Sequence, residues 1–337
     1  MTGTIILTGA NSSLAIPAVE HLLTNYRDYT LVLTVRNTSE SDANTQMLRK
    51  TVSKHPQTGT NNVVSIRQLD LSRLDDVHNF ATTIISEITD GKLPRLTSII
   101  CNAYSWNLVR ELETTVDGYE KTFAINHVSH SALVLRLLGS FNEEGRVVLF
   151  TSDAHWHGKN SLAKLPPTLP DALDLLVKPE PDPTTDNLAY GMRRYAYSKL
   201  CILMWMYALN RYLEKDPKFS KITVVTINPG NLTDSRALTV DTPSSIYYMS
   251  KLIVRPFRPL LRFVDPTMRT AAEAGADVIE LATNNAHPGK RGFFTLLKPD
   301  VSSPESLEVE KQQEVWAKTL EWAKITRENT ALEVAFE

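Results

Sequence analysis

The chain has 337 residues, room for one large α/β domain or two modest ones. Hydrophobic residues make up 42% and charged residues 22%, the balance of an ordinary soluble globular fold. A formal net charge of −2 gives no bulk attraction to a polyanion, which argues against nucleic acid as a partner.

Short apolar runs alternate along the chain with longer segments of helical period. Strands are predicted at 4–8, 30–35, 63–69, 97–102, 146–151, 222–227 and 292–296. Helices are predicted near 13–25, 40–54, 73–90, 119–139, 191–214 and 267–284, followed by a tail helix near 305–326. This alternation predicts an α/β fold, a doubly wound parallel sheet covered by helices. The first strand begins almost at Met1, so no signal or transit peptide is expected. The longest apolar stretch, Leu200 to Leu209, is half of what a bilayer span needs, so no integral membrane segment is expected. Cys101 and Cys201 stand far apart in apolar surroundings, which suggests a reducing compartment; the expected location is cytoplasmic.

Two segments break the beat. Residues 153–190 contain prolines 166, 167, 170, 179, 181 and 183, and read as an inserted proline-rich loop. Residues 235–264 are apolar and aromatic but punctuated by Pro243, Pro256 and Pro259, which argue against one long helix there. The expectation is a single domain over 1–337, with these two elaborations and a helical tail over 303–337.

The first strand runs into Thr8-Gly-Ala-Asn-Ser-Ser-Leu-Ala15 and then a helix. A strand, a small-residue turn and a helix N-terminus form a place for a pyrophosphate. Only Gly9 remains of the usual glycines; Ser13 and Ala15 occupy the other two positions, and Ser13 offers a hydroxyl to a phosphate. The plain alternative is a strand–turn–helix capped by Asn11 or Ser12. Strand two ends in Thr34-Val-Arg-Asn37, where Arg36 offers a fork to a ribose 2′-phosphate and so points to NADP rather than NAD. Asp70 ends strand three, either accepting from an adenine amine or capping the next helix.

Tyr195 and Lys199 lie one helical turn apart, an arrangement in which an ammonium lowers the pKa of a phenol and fits it for proton transfer to an alcohol oxygen. Tyr247 and Lys251 repeat the spacing.

With these pieces the chain resembles the short-chain dehydrogenase/reductase family from residue 4 to about 235, and within it the retinol dehydrogenase and light-dependent protochlorophyllide reductase branch. Cys101-Asn-Ala-Tyr104 stands where most members carry Asn-Asn-Ala-Gly. Val116 to His130 contains that branch's Asp-Gly-x-Glu and Asn-His-x-x-His patterns. Thr151-Ser152 and Asn228-Pro-Gly230 end the fifth and sixth strands as in the family. The order of these motifs singles out the first Tyr-Lys pair. The resemblance implies that Ser152 binds a substrate oxygen, Tyr195 exchanges a proton with it, Lys199 holds ribose hydroxyls, and Asn126 holds a relay water. It also implies NADP(H) contacts from Gly9, Asn11, Ser12, Ser13, Leu14, Arg36, Asn37, Asp70, Leu71, Asn102, Ala103, Tyr195, Lys199, Pro229, Gly230, Asn231 and Leu232. Departures are the two missing glycines, Tyr104 in place of a glycine, and Thr233 one residue early.

His127, His130, His155 and His157 lack companions for a metal site, so no metal is expected; His155 and Trp156 are candidates for the pocket wall. Lys251, Arg255, Arg258 and Arg262 recur among apolar residues; a substrate lid is preferred there over contact with an anionic membrane or plain packing. Helix 197–213 is open to a homodimer face or to core packing. The expected function is NADPH-dependent interconversion of a carbonyl and an alcohol on a bulky apolar small molecule. The pattern resembles fungal members, which suggests natural-product tailoring. The alternatives are an enzyme of the same fold without net redox change (an epimerase, dehydratase or cyclase) and an NADP-sensing protein.

Overall fold

The computed structural model describes residues 2–55, 62–160, 162–180 and 186–336. Its strands are β1 (Gly3–Leu7), β2 (Tyr29–Val35), β3 (Val63–Gln68), β4 (Leu96–Ile100), β5 (Phe141–Phe150), β6 (Thr223–Asn228), β7 (Asn231–Leu232), β8 (Met268–Arg269), β9 (Gly292–Thr295) and β10 (Lys298–Pro299). Eight of them form one sheet in the order β10-β9-β6-β5-β4-β1-β2-β3, parallel except for β10. β7 and β8 pair separately. The predicted strands are all present. β5 starts five residues earlier than its apolar run, because Asn142, Glu143 and Glu144 precede that run beside a register shift against β4.

Alternation along the strands divides the core in two. Ile5 and Leu7 face α1 (Ala15–Asn25), α2 (Ala43–Ser53) and α9 (Ala271–Ala282), whereas Ile6 joins the opposite core with α3 (Leu74–Thr89), α5 (Ser129–Leu137), α6 (Asn187–Lys215) and the tail helix α10 (Val309–Trp322). A short α4 (Lys121–Phe123) enters α5 through a π turn at Ala124–Val128. Strand order reverses between β1 and β4, and in such sheets ligands bind in the crevice beyond the strands' carboxyl ends at that point.

The apolar face of α6 is core, not a dimer face. Trp316 of α10 stacks on Trp205 at 6.0 Å and on Tyr212 at 4.6 Å, so the same chain already covers it. Prolines do not break the 244–261 segment as expected. α7 (Ser244–Met249) passes through a π turn at Ser250–Val254 directly into α8 (Arg255–Leu261). Pro256 falls in the first turn of α8, where the ladder already changes register and an N–H is least needed, although Pro259 lies inside the helix. Among the described residues, 153–180 carry only the short turns Asp153–His155 and Leu173–Leu176. Ser161, Pro181 and Pro183 of that predicted insert lie outside the described residues.

Candidate active site

β1 ends at Thr8 and Gly9, and the loop is braced from β4. Gly9 has φ +61°, and a Cβ there would stand 2.9 Å from Ala103 Cα, so this one glycine is required both by conformation and by close approach. The Asn102 amide donates to Thr8 O (2.9 Å), Gly9 O (3.0 Å) and Ser12 Oγ (3.1 Å). Thr8 Oγ1 accepts from Ala103 N–H and pairs with His130 Nε2, both at 3.0 Å. Ser12 Oγ accepts from Ala15 N–H at 3.1 Å and opens α1. Asn102, rather than further glycines, therefore holds the loop's shape.

A cavity of about 500 Å³ lies above this loop at the carboxyl edge of the sheet. Ser12, Ser13, Leu14 and Arg36 line it from the β1 and β2 loops. Asn102, Tyr104, Ser152, Tyr195 and Lys199 line it from β4, β5 and α6, and the chain from Pro229 to Leu238 crosses it. Ser152 follows β5 in extended conformation; its Oγ accepts from Ala154 N–H at 3.3 Å and its carbonyl from His155 Nδ1 at 2.6 Å. The Tyr195 phenol stands close enough to Ser152 to feel its hydroxyl, and the Tyr195 ring meets Trp106 edge-on at 5.5 Å. Lys199 is buried, donates to Phe150 O at 3.1 Å, and holds its Nζ 5.4 Å from the Tyr195 ring centre.

The electrostatics correct the expected lowering of the phenol. Burial pushes the Tyr195 pKa up, Tyr104 adds to this, and the Ser152 hydroxyl only opposes it. Burial also lowers Lys199 to about 7, so the ammonium is itself costly there. The other pair makes the direct bond, Lys251 Nζ to Tyr247 OH at 3.3 Å, but neither residue lines the cavity. Position in the fold separates the two pairs.

Several of the expected contact residues also make hydrogen bonds within the chain. The Asp70 carboxylate accepts from Ser72 N–H (2.9 Å) and Oγ–H (2.7 Å) through Oδ1, a turn cap. Asn37 accepts from Ser39 N–H at 2.9 Å, Asn11 donates to Thr45 Oγ1 at 3.0 Å, and Leu71 O accepts from Ser129 at 2.6 Å. Gly9 and Ala103 pack beneath the loop rather than facing the cavity. Asn126 exchanges two hydrogen bonds with the Ser105 backbone (2.7 and 2.9 Å) and donates to Ser198 Oγ at 3.0 Å, so its amide is fully committed. His155 and Trp156 do not line the cavity. His155 is buried, its Nε2 accepts from Ser303 N–H at 3.3 Å, and burial lowers it to about 4. His127 pairs with Thr319 Oγ1 at 2.8 Å. Among the described residues no three His, Cys, Asp or Glu side chains gather as a metal site. Arg236 is the cavity residue that sequence reading missed: it contacts Ser13, 223 positions away, and no local pattern announces such a pair.

The cradle at Gly9, the braced loop and Arg36 at the end of β2 fit a nicotinamide dinucleotide. The sheet order and the place of this cavity define a Rossmann-type fold with its ligand crevice. The AcuH dehydrogenase domain family matches residues 236–332. The short-chain dehydrogenase iccH of Talaromyces variabilis is 28% identical over 98% of this chain and 98% of its own length. The dehydrogenase acuH of Aspergillus aculeatus is 51% identical over 28% of this chain and 96% of its own length. Among solved structures, an NADPH-bound carbonyl reductase from chicken fatty liver shares the fold with TM-score 0.56 at 16% identity, covering 89% of this chain and 98% of that one. Along nearly its whole length the chain is similar to fungal short-chain dehydrogenases. Among the described residues no helix is long and apolar enough to cross a membrane.

Proposed function

We propose that the protein is an NADPH-dependent reductase of a carbonyl on a bulky apolar small molecule. The observation that carries the reading is the convergence of Ser152, Tyr195 and Lys199 on one cavity. Ser152 donates a hydrogen bond to the substrate oxygen, and Tyr195 gives that oxygen its proton. When bound, the nicotinamide supplies the hydride to the carbonyl carbon. Lys199 holds ribose hydroxyls and, as ammonium, steadies the phenolate left behind. The Asn126 amide is committed, so its carbonyl is the group left to carry a relay water. A phenol pushed up by burial keeps its proton at neutral pH, the form that can donate to the substrate oxygen. Arg36 supports NADP over NAD. Leu162, Met192, Leu238, Val240 and Val254 make the wall apolar and support a substrate of the same character, with 235–264 as its cover. Tyr195→Phe should abolish carbonyl-dependent NADPH oxidation while leaving NADPH binding intact; unchanged turnover would sink the assignment.

The outer face of 244–264 supports a further contact. Leu252, Ile253, Leu260, Phe263 and Val264 stand more than half exposed beside Lys251 and Arg258. That combination suits an anionic lipid surface. Co-sedimentation with phosphatidylserine vesicles tests it, and equal recovery with and without vesicles would refute it.

A further inference from the structure

We propose that Arg236 binds a phosphate of the dinucleotide and thereby makes the rigidity of the cavity wall at 233–241 depend on the cofactor. The inference rests on reading the cavity as a nicotinamide dinucleotide site. Arg236 lies beyond the Pro229-Gly230 turn, yet its main-chain N–H (3.0 Å) and its Nε–H (3.2 Å) both reach Ser13 Oγ in the β1 loop. One terminal nitrogen donates to Asn44 Oδ1 and the other to Asn11 O. A guanidinium has five N–H donors, and these contacts use three. One N–H at each terminal nitrogen is left. Ser13 Oγ accepts twice, so its own proton is free to be donated outward.

Charge completes the argument. All of the groups that hydrogen-bond Arg236 are neutral, and the Asp42 carboxylate acts on it only at longer range than a hydrogen bond or ion pair. The acids lining the cavity are engaged elsewhere: Asp241 pairs with Arg110, and Asp153 accepts from Asn228. Arg36 lines the same cavity from β2. Two guanidiniums and a helix N-terminus around one loop form a site for an anion with several oxygens.

The same residue starts the turn Arg236–Thr239, and Leu238 and Val240 of that strip line the cavity. Its far end is tied to the opposite wall by Trp106 Nε1–H to Val240 O (3.2 Å) and Leu108 N–H to Asp241 O (2.9 Å). Both ends of the strip are thus already tied, and a phosphate gripped by Arg236 would stiffen it further over the substrate space.

The test is calorimetric titration of wild type, Arg236→Met and Arg236→Lys with NADP and with NAD, together with hydrogen exchange of peptides spanning 233–241. Loss of the guanidinium should weaken NADP binding on the order of 10- to 100-fold, with partial recovery in Arg236→Lys. Loss restricted to NADP places the 2′-phosphate there, and equal loss for NAD places the pyrophosphate; either result supports the proposal. NADP should slow exchange at 233–241 in wild type and leave it unchanged in Arg236→Met at equal saturation. If the methionine variant does not fold, Arg236→Gln replaces it. Affinities within twofold of wild type, or protection retained in the variant, would overturn the proposal. Failure of wild type to bind either dinucleotide would instead overturn the functional reading beneath it.

Discussion

Replacing Lys199 by methionine should make the ligand-free protein more stable at acidic pH while ending turnover. Burial moves the ammonium from 10.5 to about 7. At about 1.4 kcal/mol for each tenfold change, the folded state carries a penalty of roughly 5 kcal/mol wherever Lys199 is charged. Removing the side chain also strips the donor from Phe150 O at 3.1 Å. An orphaned buried carbonyl costs about 1–3 kcal/mol, which leaves a net gain of roughly 2–4 kcal/mol near pH 6. The sign follows from proton counting. Below about pH 7 both states hold the proton and the penalty is complete. Between about 7 and 10.5 the unfolded chain holds more protons than the folded one, so wild-type stability rises with pH. By about pH 9.5 wild type should have regained roughly 3 kcal/mol, and the advantage of the variant should have nearly vanished. Urea unfolding of both proteins by tryptophan fluorescence, from about pH 6 to about pH 9.5, reads this directly. A difference that does not change with pH, or a variant less stable at pH 6, would refute the assignment of a buried, uncompensated ammonium.

Asn102→Ala removes three hydrogen bonds from the β1 loop and should cost about 1–3 kcal/mol in thermal stability, with NADP affinity reduced about tenfold or more. Unchanged affinity in calorimetry would show that the loop holds its shape without this brace. His127 and His130 are buried and lowered from 6.5 to about 3. The unfolded chain takes up protons below 6.5 while the folded one stays neutral, so stability should fall as pH drops through that window. His127→Leu should lessen this fall by about 2–3 kcal/mol near pH 4.5 in acid-unfolding curves, and parallel curves would refute it.

Much of the site was legible because its parts are punctuated locally. Gly9 after an apolar strand, Ser152 after another and Asn228-Pro-Gly230 after a third each follow or end a short apolar run, and the structure sets all of them at the same edge of the sheet. What the sequence leaves open is how side chains spend their hydrogen bonds. Asp70, Asn37 and Asn126 have the right chemistry for ligands, and each also satisfies a nearby backbone group. Residue type reveals a donor or an acceptor and is silent on which neighbour claims it.

The sequence by itself determined the alternation of strands and helices, the parallel sheet, and the order of motifs that separates Tyr195-Lys199 from Tyr247-Lys251. These follow from periodicity and turn chemistry, which act over a few residues. Only the tertiary structure decided the protonation balance at the cavity and the role of Arg236. The burial that pushes Tyr195 up and Lys199 down is contributed by surrounding elements. Arg236 meets Ser13 only because the chain after β6 folds back across the loop after β1. A contact between residues that far apart leaves no local periodic trace in the sequence.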